Sequence, residues 1–236
     1  MKASWSYRII LWLAQPLLLL LTKRDWRGGE HLPGDGGVVV VVNHTSYFDP
    51  LAVGHFVHAH GRWVRFLGKS ELFKLPLLGT FFRNAGQIPV HRGTATAANA
   101  LRDAVAALQG GACIVIYPEG TTTRDPELWP MAAKTGAARM ALTTQVPVIP
   151  VAQWGAERVI TPKHNKVHLF PRQTMHVHAG QPVDLSDLFG QEQTPAVLEE
   201  ATDRIMLAIT MLLAEIRGEM PPAVRFDPRR RGRSVE

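Results

Sequence analysis

The sequence predicts an α/β fold of three layers: a mostly parallel, mixed sheet with helices on both faces, plus an N-terminal membrane-associating helix. Short apolar runs rich in β-branched residues alternate along the chain with longer stretches of helical periodicity. That alternation is typical of parallel sheets, because each parallel connection needs a crossover. A run of five valines at residues 38–42 indicates a strand that is buried on both faces.

The composition of the chain is apolar and basic. Its 236 residues are 46% hydrophobic and 19% charged, with 26 Lys and Arg against 20 Asp and Glu. These values exclude a disordered chain, and the length suits one large α/β domain with a full core. The single cysteine, Cys113, excludes a disulfide framework and indicates the reducing, cytosolic side of a membrane. The basic balance favours an anionic lipid surface or a phosphorylated substrate over nucleic acid, since no nucleic-acid-reading motif is present.

The first predicted element is a helix within residues 1–27. Residues 9–21 are almost without polar side chains, and basic residues flank them on both sides: Lys2, Arg8, Lys23, Arg24 and Arg27. As a helix this run reaches ~20 Å, which is short of the ~30 Å hydrocarbon core of a bilayer. No small-residue cleavage site follows it, which disfavours a signal peptide. We expect a peripheral or shallowly inserted helix at the cytoplasmic face of a membrane, with an ordinary buried helix as the alternative.

The remaining elements belong to one domain, predicted to cover residues 28–220. Further strands are predicted at residues 63–67, 87–90, 112–117, 146–152 and 175–180, and helices at residues 95–108, 134–143 and 195–217. The last helix has Thr194 as its N-cap and Pro195 at its first position. Residues 221–236 are predicted to be a basic, flexible tail, either solvated or bound to anionic headgroups.

A histidine and an aspartate follow the valine strand, in the segment NHTSYFDP at residues 43–50. Taken alone, His44 reads as a structural histidine and Asp49 as a helix N-cap before Pro50. The five-residue spacing can bring the carboxylate to one imidazole nitrogen and leave the other free, as a general base requires. No Gly-x-Ser-x-Gly motif is present, and Cys113 lies within an apolar run. A hydroxyl of the substrate is therefore the expected nucleophile.

Three other segments combine positive charge with small residues. The segment YPEGTTTR at residues 117–124 ends an apolar strand with Arg124, the segment GQIPVHRG at residues 86–93 contains Arg92, and Lys134 opens a helix. Glycine allows a ligand to approach the backbone, and arginine can bind an oxyanion through two hydrogen bonds. These residues are candidates for phosphate binding, although a surface arginine is an equal alternative for Arg92.

Four motifs thus occur in order: Asn-His-x-Ser-x-x-Asp from residue 43, Gly-x-Ile-x-Val-x-Arg from residue 86, aromatic-Pro-Glu-Gly-Thr from residue 117 and Val-Pro-Val-Ile-Pro from residue 146. Their order and spacing resemble those of the glycerophospholipid acyltransferases, best the 1-acyl-glycerol-3-phosphate acyltransferases. The resemblance implies that His44 deprotonates the acceptor hydroxyl and that Asp49 supports it. The hydroxyl would then attack an acyl thioester of coenzyme A or acyl carrier protein, with no cofactor.

The resemblance also implies two groups of binding residues. Around the glycerol phosphate it implies Arg92, Glu119 and Gly120, to which the residue types add Thr121, Arg124 and Lys134. The acyl or thioester side is expected at Lys69, Leu72, Phe73, Pro76 and Gly79.

Two departures from the family's motifs concern the headgroup side. The third motif usually continues Thr-Arg-Ser, whereas Thr122 and Thr123 follow Thr121 here and the arginine comes later. The second motif usually has an acid before its arginine, where this chain has His91. The expected reaction is acylation of 1-acyl-glycerol 3-phosphate to phosphatidic acid. The alternatives are another acceptor (glycerol 3-phosphate, another lysophospholipid or a glycolipid) and a non-catalytic lipid-binding relative.

Two histidine groups have spacings that could bind a metal: His55, His58 and His60, and the pair His176 and His178. No acidic or cysteine partner is evident near either group along the chain, and the expected reaction needs no metal. We therefore expect no metal site.

Overall fold

A seven-stranded sheet forms the middle layer of the protein. The computed structural model describes residues 5–90, 97–162 and 164–229. The strands are β1 (Thr22–Arg27), β2 (Val38–Val42), β3 (Val64–Lys69), β4 (Ile88–Val90), β5 (Cys113–Ile116), β6 (Val148–Trp154) and β7 (Gln173–Ala179). Their spatial order is β1-β7-β6-β2-β5-β3-β4. Neighbouring strands are parallel apart from β6 and β7, which are antiparallel, so the prediction of a mostly parallel mixed sheet is confirmed.

Helices cover both faces of this sheet. They are α1 (Trp5–Leu21), α2 (Asp49–Ala59), α3 (Leu78–Asn84), α4 (Ala97–Gln109), α5 (Gly136–Thr144), α6 (Ala156–Val159) and α7 (Pro195–Arg217). Helices α4, α5 and α7 pack on one face, against Val39 and Val41 of β2. Helix α2 packs on the other face, against Val38, Val40 and Val42. The valine run is fully buried because alternate side chains of a central strand meet helices on opposite faces.

Strand β1 corrects our interpretation of the N-terminal segment. Residues 22–27, which we expected to be the basic flank of a helix, pair in parallel with β7. Trp26 points into the core and meets Phe56 edge-on, with ring centroids 5.7 Å apart. An edge strand tolerates charged side chains because one side of it faces solvent, so no apolar run marks it in the sequence. The sheet therefore begins at residue 22, and the predicted boundary at residue 27 is wrong.

Helix α1 is buried on one side and exposed on the other. Leu18 and Leu21 are buried, whereas Trp12 is 77% exposed and Leu13, Leu17 and Leu20 are also exposed. Among the described residues, no helix combines the length and the apolar character needed to cross a bilayer. The alternative of an ordinary buried helix therefore fits one side of α1 and fails for the other.

The described part of the predicted tail returns to the body of the protein. The carbonyl of Phe226 accepts a hydrogen bond of 2.8 Å from the Ala132 N–H. Arg225 forms an ion pair of 2.8 Å with Asp203 of α7. The tail is thus anchored as far as residue 226. Arg230, Arg231 and Arg233 lie outside the described residues.

Candidate active site

His44 and Asp49 meet at the carboxyl end of β2. The Nδ1 atom of His44 lies 2.8 Å from Oδ2 of Asp49, so the predicted contact is confirmed. Because a carboxylate can only accept hydrogen bonds, Nδ1 carries the proton and Nε2 is left with a free lone pair. Asp49 is fully buried, whereas 13% of the His44 side chain is exposed, at the wall of a cavity. This pairing orients an imidazole as a general base would be oriented.

The carboxylate of Asp49 holds the turn before it and does not cap the helix after it. Oδ2 accepts hydrogen bonds of 2.7 Å from the Thr45 N–H and 2.9 Å from the Ser46 N–H. Phe48 occupies the N-cap position of α2 and provides no side-chain cap. Asp49 lies in the first turn of α2, where the positive end of the helix dipole favours an anion. The N-cap interpretation is therefore wrong, and the alternative of a carboxylate that orients His44 agrees with the geometry.

Strand β6 supports the same turn from the other side. Gln153 donates a hydrogen bond of 2.8 Å from Nε2 to the Thr45 hydroxyl. The side chain of Asn43 is bonded twice to the Gln153 backbone, at 3.0 Å and 2.8 Å. The Ser46 hydroxyl donates to the carbonyl of Ile160 at 2.8 Å. Our sequence interpretation missed Gln153, although a polar residue in an otherwise apolar strand was a usable signal.

Glu119 lies beneath the His44 turn and not on the cavity wall. Its Oε1 accepts from the His44 N–H at 2.9 Å and its Oε2 from the Met131 N–H at 3.0 Å. The Thr123 N–H also donates to the His44 carbonyl, at 2.7 Å. Burial raises the pKa of Glu119 to about 8. The expected contact of Glu119 with the acceptor phosphate is therefore corrected to a positioning role, because backbone N–H groups occupy both oxygens.

An aromatic stack restrains the imidazole ring. The rings of His44 and Tyr117 are stacked, with centroids 4.2 Å apart and planes 24° apart. Phe66 continues the stack on Tyr117 at 6.4 Å. Burial raises the pKa of the Tyr117 hydroxyl well above its ordinary value, which keeps that group neutral. The stack limits rotation of His44 away from Asp49.

The cavity beside His44 is large and apolar. Its volume is about 1080 Å³, compared with ~300–1,000 Å³ for a typical ligand pocket. Its apolar wall comes from several helices and from β3, and includes Leu18, Leu51, Phe66, Leu72, Phe73, Phe82, Leu101 and Met140. Such a space suits a substrate with long hydrocarbon chains.

The residues predicted for the acyl side divide into two groups. Lys69, Leu72 and Phe73 line the cavity, whereas Pro76 and Gly79 are not among its lining residues. A Cβ atom on Gly79 would lie 2.0 Å from the Phe73 carbonyl oxygen. Glycine is therefore needed there for close packing of the backbone, not for contact with a ligand.

The residues predicted for the phosphate side also divide. Gly120 and Lys134 line the cavity, whereas Thr121 and Arg124 do not. Gly120 has φ +74°, and a Cβ there would lie 3.2 Å from Cε of Lys134, so the glycine leaves room for the lysine side chain. Arg92 lies outside the described residues.

Arg139 is a cation of the cavity wall that the sequence interpretation missed. It lies on α5, in the turn after Lys134, and both residues are exposed where they line the cavity. Lys134 and Arg139 do not form a recognised motif. The available signal for Arg139 was its position as a basic residue in the first turns of the helix predicted at residues 134–143.

The molecule is therefore an α/β protein with a carboxylate-oriented histidine on the wall of an apolar cavity that also carries cations. This architecture is suited to proton transfer on an amphipathic, anionic substrate. The model of the family described as Acyltransferase matches residues 23–154, and the chain belongs to this family.

Relatives of known name agree with this assignment. The chain is 26% identical over 179 residues to the 1-acyl-sn-glycerol-3-phosphate acyltransferase of Bacillus subtilis, covering 75% of this chain and 83% of that protein. It is 30% identical over 140 residues to a chloroplastic 1-acyl-sn-glycerol-3-phosphate acyltransferase of Brassica napus, covering 58% of this chain but 39% of that protein.

A solved structure has the same fold. It is the crystal structure of the 1-acyl-sn-glycerophosphate acyltransferase PlsC from Thermotoga maritima, with a TM-score of 0.68 and 24% identity. The match covers 92% of this chain and 81% of that one.

Proposed function

We propose that this protein transfers an acyl group from an acyl thioester to the free hydroxyl of 1-acyl-glycerol 3-phosphate, giving phosphatidic acid. The observation that carries the proposal is the His44–Asp49 pair, 2.8 Å apart on the wall of an apolar cavity. The name of the Bacillus subtilis relative, most of whose length is matched, supports the choice of acceptor.

The proposed reaction begins with removal of a proton from the acceptor. Nε2 of His44 takes the hydroxyl proton as the oxygen attacks the thioester carbonyl carbon, and Asp49 stabilises the imidazolium that forms. A new C–O bond forms, the C–S bond breaks, and the leaving thiolate takes the proton back from His44. A positioned base of this kind contributes ~10²–10⁴-fold to the rate.

Transfer is proposed to be direct, without an acyl-enzyme. Burial raises the pKa of the Cys113 thiol to about 12, so the reactive thiolate is scarce at neutral pH. The Ser46 hydroxyl, the other nucleophile close to His44 in sequence, donates its proton to the Ile160 carbonyl. Within the described part of the chain, neither group is hydrogen-bonded to a histidine or carboxylate that could act as the activating base of a covalent intermediate.

The acceptor phosphate is proposed to bind the cations of the cavity wall. Lys134 and Arg139 both line the cavity, and Gly120 leaves space over Lys134. Charge-assisted hydrogen bonds from such groups are the strongest that a phosphate can form in proteins. From the family resemblance we add Arg92. Arg124 is exposed and does not line the cavity, so it is not part of this proposal.

The cavity mouth is proposed to face the cytoplasmic surface of a membrane. Helix α1 lines the cavity with Ala14 and Leu18 and exposes Trp12 and Leu13 beside them. On the segment before α3, Leu75 and Leu77 are also exposed, Leu77 at 88%, and basic residues lie near them in sequence: Lys69, Lys74 and Arg83. Exposed apolar side chains with basic neighbours are typical of proteins that rest on anionic lipid.

The proposal is tested by giving the purified protein acyl-CoA and acyl carrier protein donors with a panel of acceptors. The panel contains 1-acyl-glycerol 3-phosphate, glycerol 3-phosphate, a lysophosphatidylcholine, a glycolipid and, as a matched control without phosphate, 1-acyl-glycerol. We expect phosphatidic acid, identified by mass spectrometry, from the first acceptor. Product from a different acceptor only would support acyl transfer but show that 1-acyl-glycerol 3-phosphate is not the acceptor. No product from any pair would favour a non-catalytic lipid-binding protein.

A further inference from the structure

A second cluster of polar side chains lies on β1 and β7, away from the cavity. Oδ2 of Asp25 is 2.7 Å from Nδ1 of His176 and 3.4 Å from Nε2 of His178. Three potential ligand atoms, one from each residue, all lie within 4.8 Å of one another. None of the three residues lines the cavity, and β6 separates β7 from β2, the strand that precedes His44.

The sheet builds this cluster from residues that are far apart in the chain. His176 and His178 are two residues apart on β7, so their side chains share one face. Asp25 on β1 is the register partner of His176 and points to the same face. The acidic partner that we did not find near the two histidines in sequence is therefore supplied by the neighbouring strand.

We propose that Asp25, His176 and His178 bind one Zn²⁺ ion. Two imidazoles and a carboxylate form an N/O donor set that suits zinc, with water in the fourth position. Ligand atoms at ~2.0–2.1 Å from a tetrahedral ion lie ~3.4 Å apart, which is the separation seen between Asp25 and His178. The shorter Asp25–His176 contact has to lengthen, which is possible because both side chains are 32% exposed.

Arg27 is the neighbouring charge that such a site must accommodate. Its Nε lies 3.5 Å from Oδ1 of Asp25, while Oδ2 faces the two histidines. The two carboxylate oxygens can therefore serve different partners. A bound ion would join β1 to β7 and so brace the strand that follows α1, without taking part in acyl transfer.

The test uses the full chain without an affinity tag, stripped with a chelator and titrated with ZnCl₂ by calorimetry. We expect about one Zn²⁺ per chain, and tetrahedral absorption bands when Co²⁺ replaces it. His176→Ala should weaken binding at least ~10-fold, since even partners outside the ligand shell typically contribute that much. The matched control is His168→Ala, an exposed histidine outside the cluster, which should bind like the wild type. Zinc should also raise the melting temperature of the wild type and of the control.

Two results would overturn the site. One is the absence of stoichiometric zinc binding by the folded wild type, which would leave the cluster as an ion pair only. The other is equal binding by His176→Ala. If the alanine variant does not fold, His176→Gln decides, because glutamine can still donate a hydrogen bond to Asp25. These readouts do not depend on acyl transfer.

Discussion

The wall of the cavity that carries His44 is held by hydrogen bonds, whereas the proposed cavity mouth, α1 and residues 69–83, presents exposed apolar side chains. On the first side, Asp49 and Glu119 together accept from the backbone N–H groups of three residues of the turn. On the second side, Trp12 is 77% exposed and Leu77 is 88% exposed. The difference fits two tasks. Proton transfer requires a fixed geometry, while the proposed membrane-facing mouth would have to adapt to acyl chains and a bilayer.

The largest expected effect is the loss of turnover when the Asp49 carboxylate, which orients His44, is removed. In Asp49→Asn the amide can donate to Nδ1 of His44, which moves the ring proton to Nε2 and removes the basic lone pair. We expect kcat to fall ~10²-fold or more, with the melting temperature measured as a control for the lost negative charge. Turnover within a few-fold of the wild type would mean that Asp49 does not orient the base.

The cations of the cavity wall should affect acceptor binding more than turnover. A charge-assisted contact to phosphate is worth ~1.5–3 kcal/mol, so Lys134→Ala should raise the KM for the acceptor ~10–150-fold. Lys166→Ala, on an exposed loop, is the matched control and should leave this KM unchanged. An equal rise for acceptor and thioester would place Lys134 outside the acceptor site.

The mouth should govern membrane binding and not the chemical step. A leucine buried in hydrocarbon contributes ~1.5 kcal/mol or more, so the double variant Leu75→Ser, Leu77→Ser should bind anionic vesicles at least ~10-fold more weakly. Its activity on a short-chain, soluble acceptor should match the wild type. Met220→Ser changes an equally exposed residue outside the cavity lining and serves as the control. Unchanged sedimentation of the double variant would remove this segment from the membrane surface.

The smallest expected effect is a pH dependence of the free energy of unfolding that arises from Glu119. Burial raises the pKa of Glu119 from 4.5 to about 8, so the folded chain retains a proton that the unfolded chain releases between these values. The free energy of unfolding contributed by this group is therefore highest below pH 4.5 and falls as pH rises toward 8. Urea unfolding at several pH values should show this slope in the wild type and not in Glu119→Gln. A stability advantage of the wild type over Glu119→Gln that grows with rising pH would contradict the assignment.

Local patterns were enough to predict the centre of the fold. The valine run identifies β2 because a doubly covered strand needs apolar side chains on both faces. The short spacing between His44 and Asp49 made their contact predictable, since both lie in one turn. The predicted helix at residues 195–217 is α7 with its Thr194 cap, where Oγ1 accepts from the Val197 N–H at 3.3 Å.

Features that depend on distant strands could not be read in the same way. β1 is charged and lies at an edge, and its pairing with β7 joins residues about 150 positions apart. The direction of the Glu119 side chain depends on where the N–H groups of His44 and Met131 lie in space. Gln153 reaches Thr45 for the same reason, through the pairing of β6 with β2. The pairing of β1, the direction of Glu119 and the contact of Gln153 all depend on how the strands are arranged in space. A local sequence motif does not contain that information.

The central claim is that His44 is the base, oriented by Asp49. The most direct measurement is kcat of His44→Ala with acyl-CoA and 1-acyl-glycerol 3-phosphate, with and without added imidazole, on protein whose melting temperature matches the wild type. We predict a loss of ~10²–10⁴-fold and partial recovery with imidazole, which can enter the space left by the side chain. Turnover by the folded variant close to that of the wild type would contradict the claim.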